Sequence, residues 1–143
     1  MTPWTALLES LHSAFIDELN EKKPKEKVEL GLPRRLSQFA FPDTELGSLL
    51  FCEIQFDQAS GFVFVGLEKS LGESLSFSEA QLWEAIFKRA GSEFMRRNIR
   101  PKAGNTQSLT QTASAPKGVN AVQKLVWIPF KLQDGKCYLG MGV

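Results

Sequence analysis

The sequence has few of the residues from which small metal-bound, disulfide-bonded or hydrolytic domains are built. Its 143 residues include two cysteines, Cys52 and Cys137, and a single histidine, His12. Two cysteines cannot make a disulfide framework, and with one histidine they cannot complete a four-ligand zinc site. A serine or cysteine hydrolase would have to use His12, and nothing in the sequence places it near an activated nucleophile. We therefore expect no metal site and no self-contained hydrolase.

Other familiar signals are also missing. The sequence contains no glycine-rich phosphate loop and no HExxH, CxxC or GxSxG motif. No apolar run approaches the roughly 20 residues that span a bilayer, and the N-terminus lacks the basic start of a secretory signal. We expect a cytoplasmic protein with no membrane segment and no cofactor of its own. Its function would be binding, scaffolding, or catalysis that borrows its chemistry from a partner.

What the chain does have is a globular composition with an uneven charge distribution. Hydrophobic residues make up 43% and charged residues 23%, which suits a single domain spanning 1–143. The formal net charge of +1 argues against a nucleic-acid binder. However, residues 1–84 carry 14 acidic and 7 basic side chains, whereas 85–143 carry 2 acidic and 10 basic ones. The basic run at 88–102 is either a solvated helix end or a docking face for an acidic partner or a phosphate.

Periodicity predicts two helices and an antiparallel sheet. The predicted helices span 4–22 and 78–99, and the predicted strands span 28–32, 49–57, 62–68, 124–132 and 136–141. Ser78 followed by Gln81 is a capping-box pattern, and Gln58-Ala59-Ser60-Gly61 is the predicted turn of the first hairpin. The fold class is thus α/β (α+β), with about five antiparallel strands, the long helix on one face and the N-terminal helix nearby. Residues 101–122 are predicted to be a long flexible loop.

Two stretches carry a family resemblance. They are Ala59-Ser-Gly-Phe-Val-Phe-Val-Gly-Leu-Glu-Lys-Ser-Leu-Gly-Glu-Ser-Leu75 and, after a helix, Ile128-Pro-Phe-Lys-Leu-Gln-Asp-Gly-Lys-Cys-Tyr-Leu139. Together they resemble the CheC/CheX/FliM-middle-domain family of bacterial chemotaxis phosphatases and flagellar switch proteins. The similarity covers roughly residues 48–100 and 124–143. With one strand–helix–strand unit, the chain is more similar to the single-unit CheX type than to the duplicated CheC or FliM type.

The resemblance implies a candidate site on the long helix. Phosphatases of this family insert a Glu-x-x-Asn pair into a phosphorylated receiver domain, whose own aspartate and Mg²⁺ supply the other catalytic groups. Glu93 matches the glutamate, but Arg96 stands where the asparagine is expected. Asn98 lies about 140° round the helix from Glu93 and cannot replace it. Since arginine has only donors, it cannot accept a hydrogen bond from an attacking water. The resemblance therefore implies a degenerate phosphatase or a binding relative, with Glu93 as its candidate catalytic residue. Glu93 with Arg89 and Arg96 can equally be an ordinary surface ion-pair cluster.

The sequence thus predicts a CheX-like signalling domain that binds a response-regulator receiver domain. The predicted partner-binding residues are Arg89, Glu93, Arg96, Arg97 and Arg100, and the receiver would supply any Mg²⁺. A homodimer is also expected, because the chain ends within a predicted strand and exposed strand edges are commonly paired. Three alternatives stay open: an active phosphatase that uses Glu93, a secretion-chaperone-like binding module, and a small-molecule or cyclic-nucleotide sensor that uses Arg96 and Arg100.

Overall fold

A seven-stranded antiparallel sheet forms the centre of the protein. The computed structural model describes residues 3–143. The sheet order is β1-β6-β7-β4-β3-β5, with β2 also paired to β6. The elements along the chain are α1 (Pro3–Lys22), β1 (Glu29–Leu30), β2 (Arg34–Leu36), β3 (Ser48–Phe56), β4 (Ala59–Leu67), α2 (Lys69–Leu75), α3 (Glu79–Arg96), β5 (Lys102–Thr110), α4 (Lys117–Asn120), β6 (Leu125–Leu132) and β7 (Gly135–Gly142).

The three longer helices cover one face of the sheet. In α1 the apolar residues recur every four positions, so that Leu7, Leu11, Phe15 and Leu19 are all fully buried. The Phe15 ring stacks on Phe130 of β6 with their centroids 4.4 Å apart. Helix α3 buries the predicted apolar stripe against the same face. This confirms the predicted placement of the two helices.

The opposite face of the sheet is covered without a long helix. Its buried residues include Phe64 of β4 and Trp127 of β6, whose ring centroids lie 5.4 Å apart. The coil before β3 and the short helix α4 complete this second core, to which Phe39, Phe41 and Val119 contribute. The indole N–H of Trp127 donates to the Ala40 carbonyl oxygen at 3.0 Å. The coil is therefore tied to the sheet by a hydrogen bond as well as by apolar packing.

Helix α3 begins where the sequence predicts. The Ser78 hydroxyl accepts from the Gln81 N–H at 3.2 Å, and the Gln81 side chain accepts from the Ser78 N–H at 2.9 Å. This reciprocal pair is a capping box and satisfies two N–H groups that the first turn leaves free. Helix α3 also buries Leu82, Trp83, Ile86, Ala90 and Phe94.

Two local predictions are wrong. The first hairpin turns on two residues, Asp57 and Gln58, both with positive φ, rather than on the four residues 58–61. Gly61 instead lies inside β4, where a Cβ would come within 2.9 Å of the Trp4 ring. Residues 101–122 are not simply a loop, because 102–110 form β5 along β3 and 117–120 form α4. The short helix α2 and the strands β2 and β5 were not predicted, so the sheet has seven strands and not about five.

The predicted homodimer relied on the wrong strand. The last strand, β7, is interior, because it pairs with β4 on one side and β6 on the other. Among the described residues, the sheet ends in β5 beside β3 at one edge and in the short strands β1 and β2 beside β6 at the other. The homodimer stays a prediction, and β5 is the longer of the edges open to it. Within residues 3–143, the helices are too short or too polar to cross a membrane.

Candidate functional site

The candidate site lies on the outer side of the last two turns of α3. Phe94 points into the core, whereas the side chains around it on the helix point away from the sheet. We name this region the α3 surface and define it by Glu93, Met95, Arg96 and Arg97. The candidate catalytic residue and two of the four predicted partner-binding arginines therefore lie together.

Glu93 is engaged by arginine on both carboxylate oxygens. Arg96 donates from Nη2 to Oε2 at 2.6 Å and from Nε to Oε1 at 3.3 Å, which is a bidentate ion pair. Arg97 adds a longer contact from Nε to Oε2 at 3.5 Å. The Arg96 hydrogen bond holds the pKa of Glu93 below its usual range, and Glu93 in turn raises the pKa of Arg96. The carboxylate is thus charged, and its charge is neutralised locally.

The other predicted arginines on α3 bind the acidic side of α1. Arg97 Nη1 donates to Glu9 Oε2 at 3.0 Å. Two turns earlier, Arg89 donates to Glu18 at 3.1 Å and also pairs with Glu21. These contacts account for part of the charge asymmetry along the sequence, since Glu9, Glu18 and Glu21 of α1 pair with Arg89 and Arg97. Arg89 therefore joins α1 to α3 and is not part of the α3 surface.

Arg100 is also separated from the α3 surface. It follows the end of the helix and lines a cleft of about 470 Å³ with the β3–β4 hairpin, including Asp57 and Ser60. The structure brings Glu93, Arg96 and Arg97 together, but it does not bring Arg100 into their hydrogen-bond network. The predicted set of five residues is therefore divided among three locations.

Asn98 has a structural role that explains why α3 ends at Arg96 instead of continuing to residue 99. Asn98 has a positive φ of 55°, and its N–H donates to the Met95 carbonyl at 3.1 Å. The Ile99 N–H reaches back to the Phe94 carbonyl at 2.9 Å. These two bonds form a Schellman motif, in which the left-handed position favours glycine or asparagine. Asn98 thus lies beyond the helix and cannot stand in for the missing asparagine at position 96.

We expect Asn98→Ala to lower the free energy of unfolding by about 1 kcal/mol, because alanine is strained in the left-handed conformation. Asn98→Gly keeps this conformation accessible and should leave the stability within about 0.5 kcal/mol of the wild type. Urea denaturation at pH 7 followed by circular dichroism measures both. Equal stabilities for the two variants would contradict the capping role.

Met95 was not among the predicted site residues. It is 84% exposed and lies next to Arg96 on the outer side of α3. Single exposed apolar residues are common, but this one adjoins the candidate site. The sequence does indicate that Met95 is exposed, because Met95 lies outside the apolar stripe of α3. The α3 surface therefore offers a partner both apolar contact area, from Met95, and charged hydrogen-bonding groups, from the bidentate ion pair.

One group of carboxylates lies elsewhere. Among residues 3–143, the single set of at least three possible metal ligands is Asp43, Glu45 and Glu68. Asp43 already accepts from the Tyr138 hydroxyl at 2.8 Å and from the Glu45 N–H at 2.9 Å, while Glu68 accepts from the Lys136 N–H at 2.7 Å. Protein donors thus occupy both oxygens of Asp43 and one oxygen of Glu68, and we assign no metal to this set.

The histidine and the cysteines belong to the core or its border. His12 is partly buried with its ring 5.4 Å from that of Phe130, and this burial lowers its pKa. Cys52 and Cys137 are both buried free thiols, and burial raises the pKa of each. A raised thiol pKa opposes nucleophilic catalysis. The structure therefore places all three away from the α3 surface.

By sequence, no family model and no curated protein matches the chain. By structure, it is similar to a CheC-like superfamily protein from Shewanella sp. PV-4, with a TM-score of 0.75 and 9% identity over 99% of this chain and 98% of that one. It is also similar to a chain of the CheX–CheY–BeF3–Mg²⁺ complex from Borrelia burgdorferi, with a TM-score of 0.62 and 12% identity over 95% and 96% of the two chains. A third similar structure is the FliM middle domain from H. pylori, with a TM-score of 0.59 and 10% identity over 99% and 92%.

These similarities show the fold. The chain has the CheC/CheX/FliM-middle-domain fold over nearly its whole length, which confirms the fold implied by the sequence resemblance. At identities of 9–12% they do not carry the roles of individual side chains. The assignment of Glu93 and its neighbours as a functional site stays a prediction.

Proposed function

We propose that this protein is a CheX-like signalling domain that binds a response-regulator receiver domain through the α3 surface without dephosphorylating it. The observation that carries the proposal is the bidentate Glu93–Arg96 pair. It leaves a guanidinium that is 66% exposed beside the exposed Met95. Such a surface can bind an acidic protein face while offering little chemistry of its own.

The absence of catalysis follows from the donors and acceptors at the site. A water that attacks a phosphoryl group must be oriented by an acceptor, and the Arg96 guanidinium has none. The Glu93 carboxylate could accept, but Arg96 already occupies both of its oxygens and Arg97 adds a third contact. To contact a basic residue of a partner, Glu93 would first have to release these donors. Binding therefore needs less rearrangement than catalysis.

The choice of partner is supported by the structural comparisons. One similar structure is a CheX–CheY–BeF3–Mg²⁺ complex, and another is a FliM–SpeE complex, so proteins with this fold form complexes with other proteins. We propose a receiver domain for this chain because the exposed cations of α3 suit the acidic, phosphorylated end of such a domain. The receiver would supply its own Mg²⁺, and the interaction would take place in the cytoplasm.

Charge reversal of two arginines tests the proposal. We expect Arg96→Glu/Arg100→Glu to weaken binding to a BeF3–Mg²⁺-charged receiver from the same genome at least tenfold, measured by isothermal titration calorimetry. Arg100→Glu alone should have a smaller effect, because Arg100 lies outside the Glu93 network. The matched control is Arg34→Glu/Lys131→Glu, which makes the same charge change on strands remote from α3 and should bind like the wild type. Unchanged binding by the double variant would reject the α3 surface as the interface.

A phosphatase assay separates the proposal from its first alternative. With the wild type, loss of phosphate from acyl-phosphate-charged receivers should proceed at the receiver's own rate. Acceleration by the wild type that disappears in Glu93→Ala would show an active phosphatase instead. Activity in Arg96→Asn alone would show that the interface is correct and that catalysis is blocked at Arg96. If no receiver binds, the proposed partner is wrong, and the chaperone-like alternative becomes the next to test.

A further inference from the structure

An open groove lies between α1 and one edge of the sheet, and none of the residues that define the α3 surface lines it. It has a volume of about 580 Å³ and lies between the first turns of α1 and the edge formed by β2 and β6. Val126, Ile128 and Met141 line it from the sheet, and Trp4 and Leu8 line it from α1. The volume falls within the roughly 300–1,000 Å³ typical of small-molecule sites, and these walls are apolar.

The groove exists because α1 crosses the sheet diagonally. Near its middle, α1 lies over β6, where His12 and Phe15 contact Phe130. At its start it lies over the β3–β4 hairpin, where Trp4 packs edge-on against Phe56 at 5.4 Å and closes over Gly61. The first half of β6 therefore loses its helical cover. Val126 on that half of the strand is only partly buried and is open from the side of β2, whereas Ile128 and Met141 at the floor of the groove are 6% and 5% exposed.

The charged side chains at this groove are both cationic. Arg35 of β2 pairs directly with Val126, so it lies on the same side of the sheet as the groove, and Lys124 immediately precedes β6. Within residues 3–143, no Asp or Glu side chain lines the groove, and neither cation forms an ion pair. The backbone oxygen of Val143 at the rim already accepts from the Gln123 and Lys124 N–H groups.

The start of α1 adds to this polarity. Thr5 lines the groove from the first turn of a 20-residue helix, and a helix N-terminus favours anionic groups. The groove therefore has an apolar floor and a cationic rim. A ligand that matches both has an aliphatic chain and a negatively charged head.

We propose that this groove binds a single-chain aliphatic carboxylate, with the chain on Val126, Ile128 and Met141 and the carboxylate between Arg35 and Lys124. None of the residues that define the α3 surface lines this site, so the ligand proposal does not depend on the proposed receiver binding. Burial of the chain supplies most of the affinity, and the two cations select the charge of the head. The ligand is bound as a free monomer, not as part of a membrane.

The test is an NMR titration of the full chain with decanoate below its micelle concentration. We expect saturable chemical-shift changes in the methyl groups of Val126, Ile128 and Met141. Decanol and decyltrimethylammonium, which have the same chain with a neutral or a cationic head, should bind at least fivefold more weakly. Arg35→Gln/Lys124→Gln should weaken decanoate binding at least fivefold and leave decanol binding unchanged.

The matched control is Arg34→Gln/Lys131→Gln, because Arg34 pairs with Trp127 and lines a cavity on the opposite face of the sheet. This variant should bind decanoate within twofold of the wild type. Equal binding of the three amphiphiles, equal loss in both double variants, or shifts confined to other methyl groups would overturn the proposal. So would the absence of saturation, or binding to phosphatidylglycerol vesicles without binding to monomeric decanoate.

Discussion

Gly140→Ala is expected to lower the free energy of unfolding by about 3 kcal/mol. Gly140 of β7 lies directly opposite Trp127 of β6, and a Cβ at this position would come within 2.5 Å of the indole ring. The ring cannot easily move, because its N–H is bonded to Ala40 and its face packs near Phe64. Overpacking a dense core typically costs 1–3 kcal/mol, and the double constraint on Trp127 places this substitution at the upper end. Urea unfolding monitored by tryptophan fluorescence measures the loss.

Gly47→Ala provides the matched control for this prediction. It makes the same chemical change two strands away, but a Cβ at Gly47 meets nothing within 4 Å, so the stability should stay within about 0.5 kcal/mol of the wild type. A Trp127→Leu/Gly140→Ala double variant should lose less than the sum of the two single losses, with a coupling of at least about 1 kcal/mol. Additive losses would show that the ring is not what excludes a Cβ at position 140.

Elements that depend on local chemistry could be predicted from the sequence. The capping box at Ser78 and Gln81 fixes the start of α3, and its apolar stripe fixes which side faces the sheet. The alternation along 49–57 predicts β3, and the apolar-rich segments 124–132 and 136–141 predict β6 and β7. In each of these cases the residues that determine the structure are near neighbours in the chain.

Elements that depend on distant partners could not be predicted. Strand β5 is almost entirely exposed, and its sequence, Lys102–Thr110, has no buried alternation because little of it faces the core. Its structure comes from the ladder with β3, whose paired residues lie 47 to 62 positions earlier in the chain. A polar strand of this kind has the composition of a loop, which explains the incorrect prediction for 101–122.

In the candidate site, too, contacts between near neighbours in the chain could be predicted and contacts with distant residues could not. The resemblance to a known family singles out Glu93 and Arg96, whose i, i+3 spacing makes their ion pair predictable. The roles of the other arginines depend on α1: Arg97 binds Glu9, and Arg89 binds Glu18 and Glu21. Without the packing of α1 against α3, a basic run of this kind resembles a docking face. The structure shows that part of it holds two helices together.

Glu79 is a partly buried carboxyl at the start of α3, and we expect its ionisation to make the stability of the protein depend on pH. Its Oε1 accepts from the Ser48 hydroxyl at 3.2 Å, whereas its Oε2 is buried and has no hydrogen-bond partner among the described residues. Burial raises the pKa of Glu79 to about 7, and the Ser48 hydroxyl and the Leu67 N–H oppose this shift. The carboxyl is therefore half protonated near neutral pH in the folded protein and fully ionised there in the unfolded chain.

The sign of the pH dependence follows from proton binding. Between pH 4.5 and 7 the folded state holds a proton at Glu79 that the unfolded state has lost, so stability falls as the pH rises through this range. Above pH 7 both states are ionised and the penalty is constant. Because part of the carboxyl remains in contact with water, we expect a loss of about 1–2 kcal/mol between pH 5 and pH 8. Glu79→Gln should remove this loss and be more stable than the wild type at pH 8 by the same amount.

The informative quantity is the difference in the free energy of unfolding between the wild type and Glu79→Gln, because other groups also titrate in this range. His12, whose pKa is lowered by burial, contributes the opposite slope: the unfolded chain binds a proton there first, so its contribution is lost on acidification. Since His12 is present in both proteins, its effect cancels in the difference. Urea unfolding of wild type and Glu79→Gln at half-unit steps from pH 5 to 8 measures this difference, with Glu84→Gln on the exposed side of α3 as the control. A difference that does not change with pH would mean that Glu79 is ionised throughout, and that the start of α3 tolerates a buried charge.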